Sequence, residues 1–326
     1  MTDSDPQGAL EQKPAASDGH KPVVGLALGS GAARGWAHLG VLSALAAEGV
    51  VPDLICGCSI GAFVGAAAAS GDLEKLTHWA HRLKWQDVVS LLDLSLRGGL
   101  IKGEKLISFF ERNFVDRQFS ELDTRFVCVA TELATGREIW LQNGSVSAAV
   151  RASIAVPGLM TPVMHRGRLL VDGGLVNPVP VSVCRAMGAD VVIAVDLGSD
   201  LVGRAARYSA TEPVPAEETE AGWTERLLSR FGFGTGEELV VPRPASAGSE
   251  GLPSLVSVIS SSINIMQVRI ARSRLAGDPA DVMISPRVGH VGLMDYHRAA
   301  EAFAEGEAAV LRMRPVLRYV LGHDVD

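Results

Sequence analysis

Ser59 lies between two glycines in Gly57-Cys58-Ser59-Ile60-Gly61, and this G-x-S-x-G spacing is typical of a serine nucleophile. In that motif a sharp strand-to-helix turn exposes the hydroxyl, and larger side chains two positions away on either side would collide. The flanking residues fit such a turn, because the apolar run "DLIC" precedes the serine and the helical pattern "AFVGAAAAS" follows it. The alternative is structural: both glycines could serve only close helix packing.

A glycine-rich stretch, "GSGAARG" at residues 29–35, could supply the hydrogen-bond donors that an acyl-transfer serine needs for its oxyanion. Its small side chains leave backbone N–H groups uncovered at the start of a predicted helix, where negative charge is favoured. A phosphate would suit the same features, so a nucleotide-binding oxidoreductase is an alternative. The dinucleotide spacing G-x-G-x-x-G is not met, however, because the third glycine falls on Arg34 or Trp36.

Asp172 is the strongest candidate for the base that a serine nucleophile requires. In "LLVDGGLVNPVP" it ends a predicted strand, and Gly173 and Gly174 leave its carboxylate uncovered; an ordinary Asp-Gly turn is the alternative. The histidines offer less. His165 has no evident orienting acid, and packing explains His38 on its predicted helix. The remaining histidines lie in the N-terminal tail, on a polar helix or in the C-terminal part: His20, His78, His81, His290, His297 and His323.

Alternating strand and helix patterns position these residues. Residues 22–29 predict a buried strand, 36–49 a helix closed by glycine, 50–58 a second strand and 60–70 a tightly packed helix. Such alternation predicts an α/β fold with a mainly parallel central sheet and helices on both faces. The later patterns predict strands at 125–133, 138–142, 169–174, 190–198 and 280–288, and helices over 72–122, 254–277 and 294–313.

The first 21 residues are polar and lack an apolar core, so they predict a disordered tail rather than a signal peptide. Residues 22–326 are expected to form a single domain, with a mobile insertion near 200–253 that is rich in Ser, Glu, Pro and Gly. No apolar run approaches the roughly 20 residues of a membrane-spanning helix. We therefore expect a cytoplasmic protein, with peripheral contact at the inner membrane surface left open.

One segment inside that insertion, residues 222–234 ("GWTERLLSRFGFG"), combines apolar side chains with arginines. As a helix it would suit a lid or a membrane contact, and a surface helix packed on the body is the alternative. The helices predicted over 254–313 could support a homodimer.

Charge and cysteine content exclude other classes of function. The formal net charge is −7 and no basic stripe stands out, which argues against a nucleic-acid partner. The four cysteines provide one C-x-C pair and no second pair at metal-ligand spacing. The sequence therefore predicts no metal site, and nothing in it requires a cofactor.

Three segments in this order, "GSGAARG" (29–35), "GCSIG" (57–61) and "DGG" (172–174), resemble the patatin-like phospholipases, particularly small bacterial members related to the esterase domain of neuropathy target esterase. The resemblance covers roughly residues 22–200 and extends more weakly to 279–306. It implies a three-layer α/β/α fold and a serine–aspartate dyad, with Ser59 as nucleophile and Asp172 as general base, acting without a metal or cofactor.

The resemblance also implies an oxyanion hole at residues 31–34 (Gly31, Ala32, Ala33 and Arg34), within a motif bounded by Gly29 and Gly35. The family usually has three glycines where this chain has Ser30-Gly31-Ala32, and alanine keeps the N–H. The implied activity is cleavage of a fatty-acyl ester of a lipid through an acyl-enzyme. A catalytically silent lipid-binding or regulatory module is the alternative within the family.

Overall fold

The computed structural model describes residues 21–91, 102–113, 117–200 and 255–322. The tail predicted at residues 1–21 and the insertion predicted near 200–253 fall almost entirely outside these ranges. The predicted lid or membrane contact at 222–234 lies wholly outside them. These three interpretations therefore stay predictions.

The described strands form one eight-stranded sheet that is parallel at its core. Its order is β5-β6-β3-β2-β1-β7-β8, with β4 paired to β3 beside that path. The parallel strands are β1 (Val24–Leu28), β2 (Leu54–Cys58), β3 (Arg125–Glu132), β7 (Val191–Val195) and β8 (Val282–Ile284). The antiparallel strands are β4 (Glu138–Leu141), β5 (Val163–His165) and β6 (Arg168–Asp172). This confirms the mainly parallel sheet that the alternating patterns predict.

Helices cover both faces of the sheet because its core strands are apolar on both sides. On β1, Leu26 and Leu28 join the core beneath α1, α2, α6 and α9, whereas Ala27 joins a second core beneath α7 and α8. None of the helices within the described ranges is long and apolar enough to cross a membrane. The helices are α1 (Ala37–Ala47), α2 (Ile60–Ala69), α3 (Leu73–Arg82), α4 (Trp85–Ser90), α5 (Glu104–Asn113), α6 (Val146–Ser153), α7 (Val181–Ala186), α8 (Leu255–Gly277) and α9 (Ala299–Val320).

Several element boundaries differ from the sequence-based prediction, most of all in the C-terminal part. The strand expected over 280–288 is only three residues long, at β8. The last helix continues past residue 313 and runs through Pro315. Tertiary contacts outweigh the helix-breaking effect of proline there, because Arg314 forms an ion pair with Glu48 and Leu317 is buried.

Candidate active site

Ser59 occupies the turn between β2 and α2 in a backbone conformation that non-glycine residues rarely adopt, with φ 55° and ψ −122°. Two hydrogen bonds hold the turn in place. The Ser59 amide donates to Ser153 Oγ (2.9 Å), and that hydroxyl donates to the Val129 carbonyl on β3 (2.7 Å). Backbone strain at a residue whose surroundings fix it is common at functional sites.

The two glycines around Ser59 allow the turn to pack closely. A Cβ at Gly57 would lie 2.5 Å from Ala62 Cα, and one at Gly61 would overlap the Leu28 carbonyl at the end of β1. The same two glycines therefore permit the close packing and the position of the Ser59 side chain at the turn. Glycine lets the start of α2 approach the sheet, and that approach turns the Ser59 side chain towards β6.

Asp172 lies at the end of β6, where both of its carboxylate oxygens accept hydrogen bonds. The Gly174 amide donates to Oδ1 (2.7 Å), and Ser59 Oγ donates to Oδ2 (2.5 Å). The backbone is also fixed, because the Asp172 amide donates to the Ala155 carbonyl (2.9 Å) and Thr131 Oγ1 donates to the Asp172 carbonyl (2.8 Å). The Asp-Gly turn exists, and it aims the carboxylate at the serine.

Burial sets the protonation behaviour of this pair. Asp172 is fully buried and Ser59 is 7% exposed. Loss of hydration raises the pKa of the Asp172 carboxyl to about 6, although the hydrogen bonds from Ser59 and Gly174 act in the opposite direction. A carboxylate with a pKa near neutrality accepts a proton more readily than an exposed one, and this is the property that a general base needs.

The glycine-rich loop starts at the end of β1 and is anchored to neighbouring backbone. The Gly29 amide donates to the Val195 carbonyl (3.1 Å), and the Ser30 amide donates to the Pro178 carbonyl (2.9 Å). A Cβ at Gly31 would lie 2.7 Å from Leu197 Cδ1, so the loop passes too close to that side chain for a larger residue.

The four residues expected to form the oxyanion hole differ in what their amides do. The Ala33 amide donates to the Leu293 carbonyl (3.1 Å), and the Arg34 amide donates to the Gly31 carbonyl (3.3 Å). The amides of Gly31 and Ala32 have no acceptor among the described residues. Ala32 has a φ of 51°, so its amide follows the turn rather than a regular helix. Of these four amides, those of Gly31 and Ala32 are therefore the two left without an acceptor within the described ranges.

Arg34 is 5% exposed and connects this loop to distant parts of the chain. Its Nε donates to the Val291 carbonyl (2.9 Å), and its Nη1 donates to Asn264 Oδ1 on α8 (3.4 Å). Next to it, a Cβ at Gly35 would overlap the Ile60 side chain. These contacts give the arginine a role in shaping the loop.

His38 is fully buried and contacts the same loop through Nε2, which lies 2.7 Å from the Gly29 carbonyl. Burial lowers its pKa to about 4, so the ring is neutral near pH 7 and Nε2 donates this bond. Within the described part of the chain, its Nδ1 has no hydrogen-bond partner. The ring supports the loop between β1 and α1 at Gly29, and it does not lie between Ser59 and Asp172.

Two residues of the site were missed by sequence reasoning. Ser153 Oγ accepts a hydrogen bond from the Ser59 amide, and Gln267 Oε1 accepts one from Ser30 Oγ (3.2 Å). Neither lies in a motif, and Gln267 is 237 residues from Ser30 in the chain, so only the tertiary structure reveals them.

Comparison with known proteins identifies the family. A family model described as "Patatin-like phospholipase" matches residues 26–185. An uncharacterized NTE family protein of Mycobacterium tuberculosis is 35% identical over 334 residues, which cover 88% of this chain and 90% of that protein. The crystal structure of VipD from Legionella pneumophila shares the fold, with a TM-score of 0.52 at 16% identity over 90% of this chain and 67% of VipD.

Two eukaryotic relatives match a shorter region. Patatin-like phospholipase domain-containing protein 7 of Mus musculus is 38% identical over 185 residues, and Lysophospholipase nte1 of Emericella nidulans is 33% identical over 184. Each match covers 54% of this chain but only 14% of the mouse protein and 12% of the fungal one. The mycobacterial match covers nearly the whole length of both proteins, and it agrees with the family model, so this chain belongs to the NTE family of patatin-like phospholipases.

Proposed function

We propose that the protein is a serine-dependent lipid acyl hydrolase of the phospholipase, lysophospholipase or carboxylesterase type. The observation that carries this proposal is the buried 2.5 Å hydrogen bond from Ser59 Oγ to Asp172 Oδ2. A serine, a carboxylate of raised pKa and a glycine-rich loop with two backbone amides that have no acceptor among the described residues are the parts that acyl transfer requires.

In the first half of the reaction, Asp172 Oδ2 accepts the hydroxyl proton while Ser59 Oγ bonds to the ester carbonyl carbon. The amides of Gly31 and Ala32 donate to the oxyanion that forms. As the intermediate collapses, the bond to the leaving alcohol breaks and Asp172 returns its proton to that oxygen. The alcohol part of the lipid departs, and the fatty acyl group remains on Ser59 as an ester.

The second half repeats these steps with water. Asp172 accepts a proton from a water molecule while the water oxygen attacks the acyl-enzyme carbonyl. The same two amides hold the second oxyanion. Collapse breaks the bond to Ser59 Oγ, which takes the proton back from Asp172. The fatty acid leaves, and both side chains return to their starting states.

Paired variants test these roles. Ser59→Ala and Asp172→Asn should each lower the kcat for a soluble short-chain nitrophenyl ester by at least ~10³-fold, because each removes a member of the reacting pair. Ser273→Ala, an exposed serine on α8, is the matched control and should retain the wild-type rate. Near-wild-type turnover in either of the first two variants would remove that residue from the mechanism.

A covalent probe separates a working enzyme from a silent module. A fluorophosphonate should label the wild-type protein on Ser59 and should not label Ser59→Ala. Fatty-acid release from a panel of phospholipid and lysophospholipid vesicles, measured beside Ser59→Ala, would then identify the lipid class. Vesicle binding without labelling or release would favour the lipid-binding module instead.

A further inference from the structure

Gln267 on α8 contacts both halves of the candidate site. Its Oε1 accepts a hydrogen bond from the hydroxyl of Ser30, the residue immediately before Gly31, whose amide has no acceptor in the described part of the chain. Its Nε2 lies against Gly174: a Cβ added to this glycine would overlap Nε2 and would also lie 3.0 Å from Asp172 Oδ1. One carboxamide therefore lies between the glycine-rich loop and the turn that holds the base.

The neighbours of Gln267 on the same face of α8 fix its position. Asn264 Oδ1 accepts from Arg34 Nη1 (3.4 Å), and Arg274 Nε donates to the Val176 carbonyl (3.0 Å). Residues three and seven positions apart share a helix face, so one face of α8 carries all three polar side chains that contact these loops. Gln267 is the residue of that face that touches the two loops at once.

Apolar side chains flank this carboxamide along α8. Gln267 is half-buried, and its helix neighbours Ile263 and Ile270 are half-buried apolar residues. Within the described ranges, its Nε2 has no hydrogen-bond acceptor, so the amide group is directed by its single bond to Ser30. Gly174 has no side chain to separate the carboxamide from the carboxylate beyond it.

We propose that Gln267 is a positioning residue of the reaction: it holds the loop at Ser30–Ala32 and the turn at Asp172–Gly174 at the separation that acyl transfer needs. The inference rests on the proposed function. The oxyanion donors belong to one segment and the base to the other, and the serine that this base deprotonates must attack the carbonyl whose oxygen the donors hold. A displacement of about 1 Å in such a pair can reduce the rate by about 10²-fold.

The loss should appear in the transition state rather than in substrate binding. We expect Gln267→Ala to lower kcat for the soluble ester at least ~10-fold while KM stays within about twofold. Arg269→Ala, an exposed residue on the opposite face of α8, is the control and should keep wild-type kcat. Rates are divided by the concentration of folded protein. A variant that is only less stable then has less folded protein, but its kcat per folded molecule is unchanged.

Gln267→Glu gives a readout that a structural role would not move. It replaces the carboxamide beside Asp172 with a carboxylate, and like charges raise each other's pKa. The acid limb of kcat/KM should therefore move to higher pH in Gln267→Glu and stay in place in Gln267→Ala. An unmoved limb in Gln267→Glu would overturn the placement of this side chain.

A double-mutant cycle tests the route through Ser30. If Gln267 acts by holding Ser30, then Ser30→Ala should lower kcat too, and adding it to Gln267→Ala should cost little more. Fully additive losses would overturn that route. Fluorophosphonate labelling rates separate the two levels of the argument. If wild type is labelled and Gln267→Ala is labelled equally fast, only this inference falls. If wild type is neither labelled nor active, the proposed function falls with it.

Discussion

Replacing Asp172 with asparagine should make the folded protein more stable above about pH 6 while it abolishes ester hydrolysis. The carboxyl is fully buried, and loss of hydration raises its pKa from 3.8 to about 6. The hydrogen bonds from Ser59 and Gly174 offset only part of that loss. Asparagine has nearly the same shape and never ionises, so the variant removes the charge and keeps most of the packing.

The pKa shift fixes the size and sign of the effect. A shift of about two pKa units corresponds to about 3 kcal/mol. The pKa is higher in the folded than in the unfolded chain, so the folded chain holds this proton more tightly. Below about pH 4 both states are protonated and nothing is lost. As the pH rises from about 4 to 6, the free energy of unfolding of the wild type falls by up to ~3 kcal/mol. The free energy of unfolding of Asp172→Asn does not decrease in this way, because asparagine does not ionise.

Urea unfolding at a series of pH values from about 3.5 to 7.5 measures this difference. The useful quantity is the free energy of unfolding of Asp172→Asn minus that of the wild type, because other buried groups contribute equally to both. Ser59→Ala is the matched inactive control. It keeps the carboxyl and loses the hydroxyl whose hydrogen bond lowers the pKa of Asp172, so its pH-dependent loss should persist and extend to higher pH.

Two results would refute the reasoning. A difference between Asp172→Asn and wild type that stays constant across the series would show that burial does not raise the pKa of this carboxyl. A Ser59→Ala curve that follows Asp172→Asn would show that the pH dependence belongs to the hydrogen bond and not to the charge. In either case the raised pKa could not be used to explain how a carboxylate serves as the base.

Three further outcomes follow from the same geometry. Burial lowers the pKa of His38 from 6.5 to about 4. In the same urea series, the free energy of unfolding of the wild type should therefore fall by up to ~3 kcal/mol as the pH decreases from 6.5 to about 4, and that of His38→Gln should not. The kcat/KM for a soluble ester should rise with pH through about 6 as Asp172 ionises, and a profile that is flat from pH 4.5 to 8 would exclude it as the base. In urea unfolding, Gly61→Ala should cost about 1–3 kcal/mol because its Cβ overlaps the Leu28 carbonyl, whereas Gly277→Ala, which meets nothing within 4 Å, should change stability by less than ~0.5 kcal/mol.

The local surroundings of Ser59 and of Asp172 could be predicted from sequence because short stretches encode them, whereas the pairing of the two residues is implied by the resemblance to the patatin-like phospholipases. Gly57 and Gly61 predict a tight turn, and the Asp-Gly-Gly sequence predicts an uncovered carboxylate at the end of a strand. The sheet followed from apolar runs of strand length. In both cases neighbours within a few residues determine the local structure, so the pattern is visible without the tertiary fold.

The division of labour within the glycine-rich loop could not be predicted in the same way. Four successive amides look equivalent in sequence, yet Ala33 donates to Leu293, which lies 260 residues later in the chain. The end of α9 shows the same limit, because an ion pair to Glu48 and the burial of Leu317 extend the helix past Pro315. Long-range contacts decide these details, and no local pattern records them.

The site also depends on parts of the chain outside the region that the patatin family model matches. That region ends at residue 185, whereas the partners of the glycine-rich loop lie well beyond it. Three residues of the loop donate hydrogen bonds to these partners. Ser30 donates to Gln267, the Ala33 amide donates to the Leu293 carbonyl, and Arg34 donates to Asn264 and to the Val291 carbonyl. Ser59 and Asp172 thus belong to the matched region, but the glycine-rich loop is held in place by the C-terminal part. Changes at these partners should alter turnover without touching the serine or the aspartate.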